Sequence, residues 1–241
     1  MRMRRALPLL SLLIFAAACT TGPKLADDCA ANALCTARAA EPSLILAAKD
    51  LAERKGDDLL LHPRGGPPIT FTDHKAACDR DDADHCDGFA FMGAFPKPRA
   101  LVVQQFFYEG SSFIFVDETS GRQIRLNAMP VFSPDGQRFL VAPYDLEHDI
   151  GPNNLEIWRR EGDGAVLEWA HTLAQTHAED PSLPLPYQVD VKSWSGDRIT
   201  LSLFTDMPEK HRWRGTLTRN GGDWQLSAQS PPGTFPPQPG S

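Results

Sequence analysis

The chain has 241 residues, 41% of them hydrophobic and 23% charged, enough apolar material for one sizeable core. Its formal net charge is −7 and no cluster of Lys or Arg stands out beyond the first few residues, so it has no electrostatic reason to seek nucleic acid. No stretch reaches the roughly 20 apolar residues that a membrane-spanning helix needs.

In chain order, the first predicted element is an export signal. "MRMRRALPLLSLLIFAAAC" sets Arg2, Arg4 and Arg5 before a short apolar run that ends in small residues, and residues 1–18 are read as the signal peptide. Ala16-x-Ala18 suits an ordinary signal peptidase, whereas Ala16-Ala17-Ala18-Cys19 resembles a bacterial lipobox, with Ala16 in place of the usual Leu. Cysteine parity favours the second reading. The chain has five cysteines; if Cys19 is lipidated, Cys29, Cys35, Cys78 and Cys86 remain for two disulfides in an oxidising compartment. Three pairings are possible, and the sequence-local one, Cys29–Cys35 with Cys78–Cys86, closes two small polar loops. Thr20, rather than Asp, follows Cys19, so the resemblance implies an outer-membrane lipoprotein facing the periplasm. Without the three leader arginines the acidic excess grows to about −10.

Residues 19–42 read as a lipidated tether and clipped loop. "PSLILAAKDLAERKG" is the only convincing helix, with Ser43 as its cap and Leu44, Leu46, Ala47 and Leu51 on one face. Residues 43–229 form the main domain. The tail 230–241, "SPPGTFPPQPGS", is too rich in Pro and Gly to build a core and is expected to be disordered.

The main domain reads as all-β, short alternating runs cut by turn residues. It also repeats. "FPKPRALVV", "FSPDGQRFLV" and "WSGDRITLSL" each set an aromatic (Phe95, Phe132, Trp194) before a turn, an arginine (Arg99, Arg138, Arg198) and an apolar run. "SFIFVDETSGRQIRL", "LEIWRREGDGAVLEW" and "WRGTLTRNGGDWQL" then follow as hairpins, with Gly121, Gly164 and Gly222 in matching turns. The predicted units are 88–128, 129–173 and 187–229, each of about four strands, and "DLLLHPRGGPPITFTD" (58–73) supplies an imperfect further one. "RFLVAPY" and "ALVVQQFFY" are apolar on both faces, as strands sandwiched between neighbours must be, while "RQIRLN" alternates like a half-exposed strand. A period of 40 to 45 residues with four strands is the size of a propeller blade.

"FSPDG" followed by a basic residue and an apolar strand resembles the repeat of TolB-type and WD40-like propellers in bacterial envelope proteins. The resemblance implies an all-β, propeller-like array of four-stranded blades, four-bladed or open. It also implies that Phe132 packs between blades, that Pro134, Asp135 and Gly136 make the turn, and that Arg138 begins the next strand. A β-sandwich is the alternative.

Candidate sites are few. Asp79, Asp81, Asp82, Asp84 and Asp87 crowd the loop between Cys78 and Cys86; oxygen ligands so close could hold calcium, but the spacing fits no EF-hand, and a solvated loop clipped by a disulfide is the simpler expectation. His74 and His85 with the two cysteines could be drawn as a zinc set, but the thiols lie eight positions apart, where a disulfide is expected instead. Asp145, Glu147, His148 and Asp149 form a polar inter-strand loop suited to ligand binding. His171, His177, Glu179 and Asp180 lie on or beside a Pro-rich insertion. Trp158, Trp169, Trp194, Trp213 and Trp224 fall on strands and are expected to pack. No G-x-S-x-G, H-E-x-x-H or phosphate-cradling Gly loop occurs, and no cofactor or metal is expected. The functional expectation is a lipid-anchored binding or scaffold module with an envelope protein or peptide as partner. The rivals are a hydrolase or lyase that uses His148 or His177, and a sandwich-type inhibitor of a hostile lysozyme.

Overall fold

The structure, a computed structural model, describes residues 32–80, 82–108, 110–143, 154–172, 188–205 and 211–228. It is mostly β: three four-stranded antiparallel sheets and one of three strands, in chain order. The first sheet holds β1 (Ala52–Lys55), β2 (Asp58–Leu61) and β3 (Ile69–Thr72). The second holds β4 (Gly88–Phe95), β5 (Ala100–Phe107), β6 (Gly110–Asp117) and β7 (Gln123–Leu126). The third holds β8 (Val131–Phe132), β9 (Arg138–Val141), β10 (Asn154–Glu161) and β11 (Gly164–Thr172). The fourth holds β12 (Gln188–Ser195), β13 (Arg198–Thr205), β14 (His211–Asn220) and β15 (Asp223–Ala228). Each is a meander in which every strand pairs with the next, so the three full sheets coincide with the three units read from the repeat.

Three apolar clusters join the sheets in series. Leu59, Leu61 and Phe71 of the first meet Phe91, Leu101, Val103, Ile114 and Val116 of the second. Ala100, Phe115 and Leu126 of the second meet Phe139, Val141 and Ala165 of the third. Leu140, Leu155 and Ile157 of the third meet Ile199, Leu201, Leu203, Leu217 and Trp224 of the fourth. The two-residue period of a strand explains the composition: alternate residues of β5 and β9 face opposite neighbours, so both faces must be apolar. These strands are second in their sheets, flanked on each side, rather than at a sheet's inner edge. Gln123 and Arg125 of β7 are exposed while Leu126 is buried, as the alternation predicted.

The helix differs from expectation. α1 runs Ala33–Ala48, ten residues ahead of the predicted start, with Pro42 inside it. Asn32 is the cap, its side chain accepting from the Cys35 amide. Ser43 lies within the helix and donates to the Ala40 carbonyl. Residues 33–42 are therefore helix, not tether, and 52–55 are strand β1, not helix. The apolar face is also different: Leu44 and Ile45 pack on the first cluster, whereas Leu46 is 81% exposed.

α1 covers the outer edge of the second sheet. Along β4 the Phe91 amide donates to Glu41 (2.7 Å), the Phe89 amide donates to Asp73 (2.8 Å), and the Phe89 carbonyl accepts from Arg38 and Arg54 (2.8 Å each). Side chains thus replace a missing neighbour strand and blunt an edge that would otherwise be open to pairing. The four charged groups complete one another: Arg38 pairs with Asp73, and Arg54 with Glu41 at 2.7 Å. Burial, with Arg54 close by, lowers the pKa of Arg38. After β3 a helical turn, α2 (Lys75–Cys78), leads into the Cys78–Cys86 disulfide. Cys35 is also disulfide-bonded, while Cys19 and Cys29 lie outside the described residues.

Candidate functional site

In each four-stranded meander the turns between first and second strands, and between third and fourth strands, lie at the same end of the sheet. Here the "FSPDG" stretch is built as its residues suggest. Asp135 accepts from the Ser133 hydroxyl and the Gln137 amide (2.6 and 2.9 Å), which holds its carboxyl below the usual range. Gly136 has φ +73°, and an added Cβ there would stand 2.7 Å from backbone atoms of Lys97 and Pro98 in the preceding sheet's turn. Lys97 in turn donates to the Pro134 carbonyl. Phe132 lies between sheets, 4.7 Å from Phe95 and 5.7 Å from Phe139.

A ladder of ion pairs marks this end. Glu118, Arg160 and Arg219 occupy one repeat position, each amide donating to the residue just before the second strand: Arg99, Gln137 and Asp197 (2.8 Å in all three). Each side chain reaches back toward the sheet before it: Glu118 to Arg64 (2.6 Å), Arg160 to Asp117, and Arg219 to Glu168 (2.9 Å). Burial disfavours the charged form of Asp117, but the Ser120 and Thr119 amides and Arg160 outweigh it and its pKa is lowered. Glu168 is likewise lowered against the effect of burial by Arg138 and Arg219. The Trp224 N–H makes no well-formed hydrogen bond but lies near enough to Glu168 to favour its charge. These pairs hold sheets together, a structural role.

The same register corrects two predicted correspondences. Ala100, Arg138 and Arg198 begin the second strands, so Arg99 is a turn residue, at φ +51°. Phe95, paired with Ala100, faces the third sheet, whereas Phe132 and Trp194 each face the sheet before their own; Ala94 is the true counterpart. A one-residue slip exchanges faces. In the third sheet the turn glycine is Gly162, at φ +57°, rather than Gly164, which begins β11.

The outer face of the fourth sheet is different. Along β13, Ile199, Leu201 and Leu203 face the third sheet, so Arg198, Thr200, Ser202 and Phe204 face away from it. Register sets Thr218, Thr216, Arg214 and Arg212 beside them on β14, and Gln225 and Ser227 follow on β15. Arg212 is tied down, donating to Ser202 (3.2 Å), lying over the Phe204 ring and standing 3.6 Å from Asp190. Arg198, Arg214, Thr216 and Ser227 line a shallow hollow of about 510 Å³. Both arginines are exposed, and no carboxylate among the described residues pairs with either. The first sheet's outer face is polar too, with Glu53 between Lys55 and His62 and Thr72 on Asp58.

Sequence reasoning named Arg198 only as a strand start and missed the other three. The signal was the alternation of "RITLSLFT" with "HRWRGTLTRN", whose polar positions are nearly all Arg, Thr or Ser. Of the predicted sites, Asp145, Glu147, His148, Asp149, Asp81, His177, Glu179 and Asp180 lie outside the described residues. Asp82 accepts from His85 (2.9 Å), which raises the histidine pKa, and Asp87 accepts from Gln105 (2.9 Å) and lies 3.7 Å from His74. Asp79 and Asp84 lie on the same disulfide-clipped stretch. Among the described residues no three His, Cys, Asp or Glu side chains are gathered to hold a metal. His171 stacks on Trp169 at the end of β11. Trp158, Trp194 and Trp213 are partly buried against the clusters, and Trp224 is buried.

No family model, no curated protein and no solved structure matches the chain.

Proposed function

We propose that the chain is an exported, lipid-anchored binding module of the cell envelope, an open propeller-like array that holds a negatively charged envelope partner on the outer face of its fourth sheet. The observation that carries this reading is the hollow of Arg198, Arg214, Thr216 and Ser227, a concentration of unneutralised donors on an acidic protein. The described residues of its lining are cations and hydroxyls, a donor set that suits the holding of an anion. Export is supported by the disulfide chemistry: Cys78–Cys86 and the bonded Cys35 belong in an oxidising compartment. The series of shared cores supports the propeller-like architecture, with polar outer faces at both ends acting as caps do in a repeat array.

Fractionation of bacteria that express the tagged full chain, with palmitate labelling and crosslinking, tests this. The wild type is expected to take the label and sediment with the outer membrane, and Cys19→Ser to lose the label and become soluble. Arg198→Glu with Arg214→Glu is expected to keep the anchor and lose the crosslinked partner. Unchanged fractionation of Cys19→Ser, or unchanged crosslinking of the double variant, overturns the reading.

A further inference from the structure

We infer that the hollow on the fourth sheet binds a phosphomonoester carried on a hydroxylated, saccharide-like body; the inference rests on the binding reading above and names its ligand class. The lining sets the charge. Two guanidiniums contribute +2 with no acid among the described residues of the lining to offset them, and a phosphomonoester carries about −1.5 to −2 near neutral pH. A single carboxylate would leave one cation unmatched. Geometry points the same way. Arg198 pairs with Thr218 and Arg214 with Ser202, four positions apart along the strands, so the two arginines stand on either side of the Thr200–Thr216 pair. A tetrahedral group with three acceptor oxygens can take hydrogen bonds from both, whereas a planar carboxylate is satisfied by one fork.

The hydroxyls indicate the carrier. Thr200 and Thr216 are paired between the two arginines, and Ser227 pairs with Thr216 on the next strand. Hydroxyls both donate and accept, which matches the hydroxyls of a sugar ring. Asp190, an acid on this face, is held by Lys192 (3.2 Å) and Arg212 and does not line the hollow.

Calorimetry and ³¹P NMR on the full chain in a non-ionic detergent at low salt test the inference, with inorganic phosphate, glucose 6-phosphate and glucose as probes. Saturable binding of both phosphates is expected, the sugar phosphate tighter and glucose undetected. Arg198→Ala and Arg214→Ala should each weaken binding by about tenfold or more, the size of a lost charge-assisted contact. Arg198→Lys with Arg214→Lys keeps the charge, removes the forks, and should still weaken it severalfold. Because both side chains are exposed, circular dichroism of every variant should match the wild type. Absence of saturable phosphate binding overturns the inference, as does undiminished binding by the double alanine variant. Binding confined to vesicles that contain phosphatidic acid overturns it in favour of a lipid surface. If phosphate fails to bind while the crosslinked partner still depends on Arg198 and Arg214, the ligand assignment falls and the binding reading stands. If phosphate binds through these arginines but no envelope partner is held, the reverse is true.

Discussion

Gly136 meets two demands at once. Its φ of +73° is a conformation that L side chains reach only at a cost of roughly 1–2 kcal/mol, and backbone of the neighbouring turn occupies the place of a Cβ. Gly136→Ala is therefore expected to lower stability by about 2–4 kcal/mol in urea unfolding. Gly162→Ala, at φ +57° with open space around it, should lose only the conformational part, about 1–2 kcal/mol. Equal losses would mean that the turn-on-turn contact carries no stability. Asp117 and Glu168 supply a pH dependence at the same scale. Both pKa values are lower in the folded chain, so unfolding takes up protons in acid. Their contribution is complete above the ordinary carboxylate range and is lost as pH falls through the folded-state values, below about pH 4. Asp117→Asn is expected to cost about 3 kcal/mol at pH 7, because Arg160 is left buried without its partner, and to flatten the fall in stability between pH 5 and 3. Urea midpoints across that range decide it. Neither carboxylate stood out beforehand, since each pairs across a sheet boundary that no local pattern reveals.

At the scale of elements, legibility followed locality. Strands and hairpins other than β1 announced themselves because each pairs with its chain neighbour, and the turn residues mark the boundaries. The helix was misplaced because its first ten residues are mostly small and polar, and because Asn32 was not recognised as a cap while Ser43 looked like one. Pro42 suggested a beginning, yet it lies in the interior. The sense of Glu41, one residue before it, emerges only when the helix lies along β4, where an acid that is 3% exposed accepts a backbone N–H and pairs with Arg54. Glu41→Ala removes the acceptor and leaves Arg54 without its closest partner, so a loss of about 3–5 kcal/mol is expected by urea denaturation. Glu41→Gln keeps an acceptor and should recover part of it. Because the same change opens the β4 edge, light scattering of Glu41→Ala should rise with concentration. A well-behaved monomer of unchanged stability would show that the helix does not guard the edge.

Among the described residues each sheet shares a core with its sequence neighbours, and the first and last turn polar faces away from the shared cores. The unit boundaries were readable because unit and sheet coincide. The order of packing was not, because β5 and β9 show only that both faces are covered and never by what. In such an array stability is a sum of unit and nearest-neighbour terms, so damage should stay near its origin. Leu203→Ala removes a fully buried side chain from the contact between third and fourth sheets, with an expected loss of about 2–5 kcal/mol. Hydrogen exchange should then show β12 to β15 opening well before β4 to β6, whose packing against the first sheet and α1 is untouched. Leu101→Ala, in the cluster between first and second sheets, should instead loosen the N-terminal sheets and leave β13 and β14 more protected. The contrast between the two variants separates a chain of semi-independent units from one cooperative core. If both variants lose protection evenly along all four sheets, cooperativity extends beyond neighbours, and the fourth sheet is no semi-detached platform for a ligand but part of a single rigid body.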